Sequence, residues 1–165
     1  MTNLLRGTFF LILVGLAGAQ PADESRRLPV PNRVKTEVVP KALLGKSFMP
    51  GGTLGTYKKG PKEYRVFVAK LKDPTTAAIL LLDWKKALQG AKLVPSFGGY
   101  FGMDGGQPVF VFTRGAWMAG TVGLSEKEAD AEARVLATRL NYSTIVPAGT
   151  SYTDAEARVL ATRLN

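Results

Sequence analysis

The sequence predicts an α+β fold: a mainly antiparallel sheet in the order β–β–α–β–β–β–α, with helices packed on it and an extra C-terminal copy of the last helix. Three observations lead there. Short stretches that alternate or run apolar (TLGTYK, EYRVFVAKLKD, GYFGM, PVFVFT) are separated by glycine-containing turns. Two longer stretches, behind Asp73-Pro74 and behind Ser125, carry apolar residues at helical spacing. The twelve residues DAEARVLATRLN occur twice, at 130–141 and at 154–165.

Taken in order, the chain opens with Arg6 and the apolar run TFFLILVGL, too short to span a bilayer, followed by Ala17-Gly18-Ala19 as an A-x-A-like cleavage site. Residues 1–19 are therefore expected to be a signal peptide. The protein is then exported, to the periplasm or beyond, and keeps no transmembrane segment after cleavage. Residues 20–52 hold Pro21, Pro29, Pro31, Pro40 and Pro50 without any period, and read as a largely extended, Pro-rich spacer. Within it VKTEVVPKALLG (34–45) is apolar enough to dock as an edge strand or a short turn.

The folded domain is expected over 53–141. Thr53–Lys58 and Glu63–Asp73 flank KKGPK and read as a hairpin. Asp73 is placed to cap a helix with Pro74 at its first position and Gly90 as its stop. Ala77, Leu80, Leu81, Trp84 and Leu88 form its apolar stripe, and Asp83, Lys85, Lys86 and Gln89 its wet face. A meander follows: Gly99–Met103, the turn Asp104-Gly105-Gly106, Pro108–Thr113, a two-residue turn at Arg114-Gly115, and Ala116–Leu124. That register pairs Phe112 with Trp117 and Phe110 with Ala119, and puts Val109, Val111, Met118 and Val122 on the opposite face. A sheet apolar on both faces is covered on both, or uses one to bind. Ser125 and Glu128 then form a capping box for a helix whose Ala129, Ala133, Leu136, Ala137 and Leu140 share one face, with Asp130 and Arg134 paired at i,i+4.

The helix after Asp73, the GGYFGMDGG segment, the VFVFTRGAWMAGTVGL hairpin and the terminal Ala/Leu/Arg helix together resemble an uncharacterised family of exported bacterial α+β proteins over roughly residues 64–140. The resemblance implies a fold and no catalytic residue. A domain of that pattern ends near Asn141, so 142–165, a linker and the duplicated helix, departs from it. The segments preceding the two copies do not match, so this is not a repeat architecture. Thr153 to Glu156 offers the second copy its own capping box, and that copy is expected either to fray or to make a weak homo-association through 154–165.

The composition limits the chemistry. The chain has no histidine and no cysteine, which removes Ser-His-Asp and Cys-His catalysis, the usual zinc sites and disulfides. No catalytic, cofactor-binding or metal-binding residue is expected, although a carboxylate-based hydrolase remains compatible. Asp104, beside Tyr100 and between glycines, is the thin candidate for an acid; its plainer role is the turn. GGYFGMDGG lacks the Lys-Ser/Thr of a phosphate loop and no helix follows it. Tyr100, Phe101, Phe110, Phe112 and Trp117 suit a core better than a stacking face.

The net charge is +9 and lopsided: Arg26 to Lys92 holds 15 Lys and Arg against four acids, while Leu93 to Asn165 holds six against seven. Such a half attracts anions, with an attraction that salt weakens. Lys58, Lys59, Lys62, Arg65, Lys70 and Lys72 are the candidate anion-binding stripe, or else an edge strand's guard against aggregation. The expected function is thus a non-catalytic exported binding or accessory domain for an anionic partner, such as a cell-envelope component. Export disfavours nucleic acid. The alternative is a structural, self-associating protein that uses the duplicated helix, and a hydrolase comes third.

Overall fold

The computed structural model describes residues 20–141. The leader expected at 1–19 and the linker and second helix copy expected at 142–165 lie outside the described residues. Along the chain run β1 (Arg33–Lys41), β2 (Pro50–Lys59), β3 (Lys62–Lys70), α1 (Pro74–Ala87), β4 (Gln89–Val94), β5 (Gly99–Asp104), β6 (Gln107–Arg114), β7 (Trp117–Val122) and α2 (Glu126–Asn141). The strands make one antiparallel sheet in the order β1-β2-β3-β7-β6-β5-β4. The fold is α+β, with α1 on one face of the sheet and α2 on the other.

Strand alternation divides the apolar residues between two cores. Phe67, Ala69, Val109, Val111, Met118 and Val122 pack with Ala77, Leu80, Leu81, Trp84 and Leu88 of the α1 region. Tyr64, Val66, Val68, Phe110, Phe112, Trp117 and Ala119 pack with Ala129, Ala133, Leu136 and Leu140 of the α2 region. The helix stripes and sheet faces are thus those the spacing indicates. Asp73 caps α1 by accepting from the Thr76 N–H at 2.7 Å. Glu128 closes one half of the expected box, accepting from the Ser125 N–H at 3.1 Å and from its hydroxyl at 2.6 Å.

Residues 20–52 are folded rather than a free spacer, and the 34–45 stretch docks as the edge strand and short turn that its apolar content allows. Chain 33–41 is edge strand β1, paired along β2, and Leu28 and Leu43 are fully buried. Pro40 fits because edge strand β1 needs hydrogen bonds on one side only, and Pro50 because it is the first residue of β2. The Tyr57 hydroxyl donates to the Pro29 carbonyl at 2.7 Å, and an Arg27 Nη1–H donates to the Arg139 carbonyl in the last turn of α2 at 3.2 Å. Ala42 and Leu44 are both held at positive φ, and Leu43 between them enters the α1-side core with Met49. Left-handed backbone costs about 1–2 kcal/mol per residue, which burial of those two side chains offsets.

Two further details differ from expectation. α1 stops at Ala87 and β4 begins at Gln89, so Gly90, at φ +62°, is not the helix stop but part of the irregular pairing between Gln89 and Lys92. The β6–β7 hairpin turns one residue later than expected. Arg114 faces Trp117, Phe112 faces Ala119, and the turn is Gly115-Ala116. Gly115 takes φ +56° at the first turn position, which a side chain at Arg114 would not favour. The shift is two positions in pairing, so each side chain keeps its face.

Gly120 of β7 lies beneath the Phe67 ring. A Cβ there would meet Phe67 carbons at 2.8 and 2.9 Å as well as the Phe110 carbonyl. Gly120→Ala is expected to lower unfolding stability by about 2–3 kcal/mol. Thr121, on the same strand but the other face, is buried with a hydroxyl that has no hydrogen-bond partner among the described residues. Thr121→Val should raise stability by about 1 kcal/mol. Urea unfolding checks both, and a gain for Gly120→Ala or a loss for Thr121→Val would contradict this packing.

Candidate functional site

The six basic residues singled out from the sequence do not form a stripe. Lys59 and Lys62 face the α2 side at the tip of the β2–β3 hairpin, and Lys62 Nζ binds both Glu128 carboxylate oxygens at 2.8 and 2.7 Å. Lys58 and Arg65 alternate onto the α1 side, where Arg65 donates to Gln107 Oε1 at 3.2 Å. Lys70 sits over the Trp117 ring, 4.6 Å from its centroid. Eight residues of extended strand separate Lys70 from Lys62, about 26 Å. Lys72 lies beyond the strand. Nor do they guard an edge, because β3 is interior, between β2 and β7; the edges are β1 and β4.

The aromatic residues are mostly core. Phe110 and Phe112 are buried and stacked at 5.7 Å, Trp117 is buried, and Tyr100 packs on the α1-side core. Asp104 is held by Lys46 at 2.6 Å, an ion pair that ties the β5–β6 turn to the loop after β1. Asp83 is near Lys86 at 3.7 Å.

The site that the sequence did not signal lies around Phe97. The connection 95–98 is tight, with the Phe97 and Gly98 N–H groups both donating to the Val94 carbonyl. It lays the Phe97 ring over Phe112 and Phe110, at centroid distances of 5.0 and 5.6 Å. The Arg134 guanidinium covers Phe97 at 5.6 Å and is paired with Asp130 at 2.8 Å, and the Ser96 hydroxyl donates to Asp130 at 3.4 Å. Phe97 thus bridges the β4–β5 hairpin and α2, and a cavity opens on each side of it.

One cavity, about 390 Å³, has Val94, Phe101 and Phe110 at its floor and Glu126, Lys127 and Asp130 around its rim. The Lys92–Glu126 ion pair at 2.9 Å lies beside it. The other, about 350 Å³, gathers Ser96, Thr113, Arg114, Arg134 and Thr138 around Phe97, with buried Phe112 behind. Both volumes fall in the range of small-ligand sites. The second is lined by two arginines and an aromatic edge, which suits a carboxylate or sulfate borne on a ring, while the Ser96 and Thr138 hydroxyls donate to Asp130 and to the Val135 carbonyl. A Phe in the loop PSFGG, flanked by turn residues rather than strand alternation, is the only trace of this site in the sequence.

A second cluster joins the β2–β3 tip to α2. The Tyr57 and Tyr64 rings stack at 5.1 Å. Burial pushes both phenols above their ordinary range, with Glu132 adding to the effect. Glu132 is itself raised by burial, a shift that Lys59 and Arg139 partly oppose. Glu128, one turn earlier, is held down to about 2 by the Lys62 ammonium and by both Ser125 donors. The cavity between them is small, about 140 Å³. The two carboxylates are driven in opposite directions, as in acid–base sites, but Glu128 is engaged by its cap and ion pair. Among the described residues no group of acids is arranged to hold a metal ion.

Set against known proteins, the chain matches no family model, no curated protein and no solved structure.

The two glutamates give opposite pH signatures. Glu128 contributes stability above its ordinary 4.5 that is lost as pH falls toward about 2. Glu132, whose folded value lies above 4.5, favours the fold when protonated, so its contribution is lost as pH rises through the folded value. Glu128→Gln should lower the urea midpoint at pH 7 and flatten its fall between pH 4.5 and 2. Glu132→Gln should raise the midpoint at pH 7 and converge with the native protein below pH 4. The same sign for both variants at pH 7 would refute the assignment.

Proposed function

We propose that the protein is an exported, non-catalytic binding domain for an anionic cell-envelope component, held in the Arg114–Arg134 cavity beside Phe97. Export rests on the leader read from residues 1–19. Among the described residues no helix is long and apolar enough to cross a membrane. What supports it is that Arg114 and Arg134 both line one aromatic-walled cavity of about 350 Å³. Arg134 is already oriented by Asp130 and by the Phe97 ring, so binding costs little side-chain ordering there. The excess positive charge of the N-terminal half adds long-range attraction rather than a second site. The ligand chemistry that fits is an acidic glycan, whose rings offer faces to Phe97 and carboxylates to the guanidinium forks.

The protein purified from the exported fraction is expected to bind polygalacturonate at low salt, weakly at high salt, and not to bind neutral dextran. Arg114→Ala/Arg134→Ala should weaken binding at least tenfold, whereas Lys58→Ala/Lys59→Ala should change it less than threefold. Calorimetric titration reads these differences. Equal binding of dextran, or no effect of the arginine pair, would sink the proposal.

A further inference from the structure

The duplicated twelve residues are those that fill the seat of α2. Ala133, Leu136 and Leu140 are the buried side chains of its last three turns, and they recur at Ala157, Leu160 and Leu164. The polar contacts of these turns recur too. Asp130 and Arg134, which hold the Phe97 loop, become Asp154 and Arg158. The carbonyl of Arg139, which accepts from Arg27, has its counterpart at Arg163.

What does not recur is the first turn. The Lys62–Glu128 and Lys92–Glu126 ion pairs and buried Ala129 lie ahead of the repeated stretch. Their counterparts are Tyr152, Thr150 and Thr153. The first copy is therefore preferred by a few exposed ion pairs, each worth little, one buried methyl and a shorter connection. The second copy follows on a twelve-residue tether, 142–153, which presents it at an effective concentration on the order of millimolar.

We propose that residues 154–165 are a second occupant for the α2 seat of their own chain, taking it whenever residues 130–141 leave it or are damaged. The seat is the sheet face formed by Val66, Phe110, Phe112, Trp117 and Ala119, together with Phe97. The exchange preserves the guanidinium cavity, because Arg134, Ala137 and Thr138 recur as Arg158, Ala161 and Thr162. It removes Glu126 and Lys127 from the neighbouring cavity. The duplicated helix is then a reserve that protects fold and groove together, and it works inside one molecule rather than between two.

The test places an arginine at the most deeply buried leucine of the first copy. Leu136→Arg in a chain ending at Asn141 should abolish cooperative unfolding. In the full chain the same substitution should keep a cooperative transition with a lowered midpoint, and Leu136→Arg/Leu160→Arg should abolish it again. Leu160→Arg alone should be silent. The chain has no cysteine, so occupancy can be read by a disulfide. Ser96→Cys with Asp154→Cys, copying the 3.4 Å Ser96–Asp130 contact, should cross-link within one chain under air oxidation in the Leu136→Arg background, and at least tenfold less with the first copy intact. Equal unfolding of the single and double arginine variants overturns the proposal. So does tolerance of Leu136→Arg by the shorter chain, and so does a folded variant that light scattering shows only as a dimer. None of these readouts depends on the ligand.

Discussion

The structure is governed by a mismatch of widths. Seven strands about 4.8 Å apart make a sheet nearly 30 Å across, while a helix with its side chains is about 10 Å wide. Because β3, β6 and β7 are apolar on both sides, both faces must be covered, and one helix per face covers only part. Three irregular segments among the described residues answer to that shortfall. On the α1 side the loop after β1 brings Leu43 and Met49 over Leu54 and Phe67. On the α2 side Leu28 and the Tyr57–Tyr64 pair cover β2 and β3, and Phe97 covers Phe110 and Phe112.

This explains why segments without regular structure are tied down so firmly. Arg27 is the clearest case. It pairs with Glu24 at 2.9 Å, lies over Trp117 at 4.3 Å and reaches the last turn of α2. A cation at a helix C-terminus is favoured by the helix dipole, and one stacked on a buried indole gains from desolvation. The N-terminal segment, the sheet and α2 therefore stabilise one another and share one cooperative unit.

The parts of the fold legible in the sequence are those where periodicity does the work. Alternation in Val109–Phe112 and Trp117–Val122 puts the correct residues on each face even though the turn is misplaced, because a shift of two in pairing leaves parity unchanged. The stripe from Ala77 to Leu88 and the caps at Asp73 and Ser125 are local signals that the tertiary structure does not override. What stays hidden lacks period. The 34–45 stretch reads as an edge strand or a turn, and only its pairing with β2 decides for a mostly exposed strand that runs through Pro40. In β4 the pairing slips around Gly90. The charged residues show a further reason. A run of lysines in sequence says nothing of faces, and alternation sends Lys58 and Lys59 to opposite sides of the sheet. Arg114, Arg134 and Phe97, from a strand end, a helix and a loop, meet only in three dimensions.

The position of the groove follows from the same widths. α2 lies on β6 and β7, and the N-terminal segment finishes the cover on the β2 side. Among the described residues the cover toward β5 and β4 is chiefly one ring, Phe97, on a four-residue connection. One ring cannot fill the space left by half a helix, so cavities remain on both sides of it, lined by whatever α2 and the strand ends present there. The N-terminal turn of α2 presents Glu126, Lys127 and Asp130, and its later turns present Arg134 and Thr138. The two cavities thus differ in charge because they read different lengths of one helix. A substitution on the exposed flank of α2 alters the groove without disturbing the core, whereas one on its buried flank alters the fold. That separation lets the chemistry of the groove vary on a scaffold whose packing is fixed.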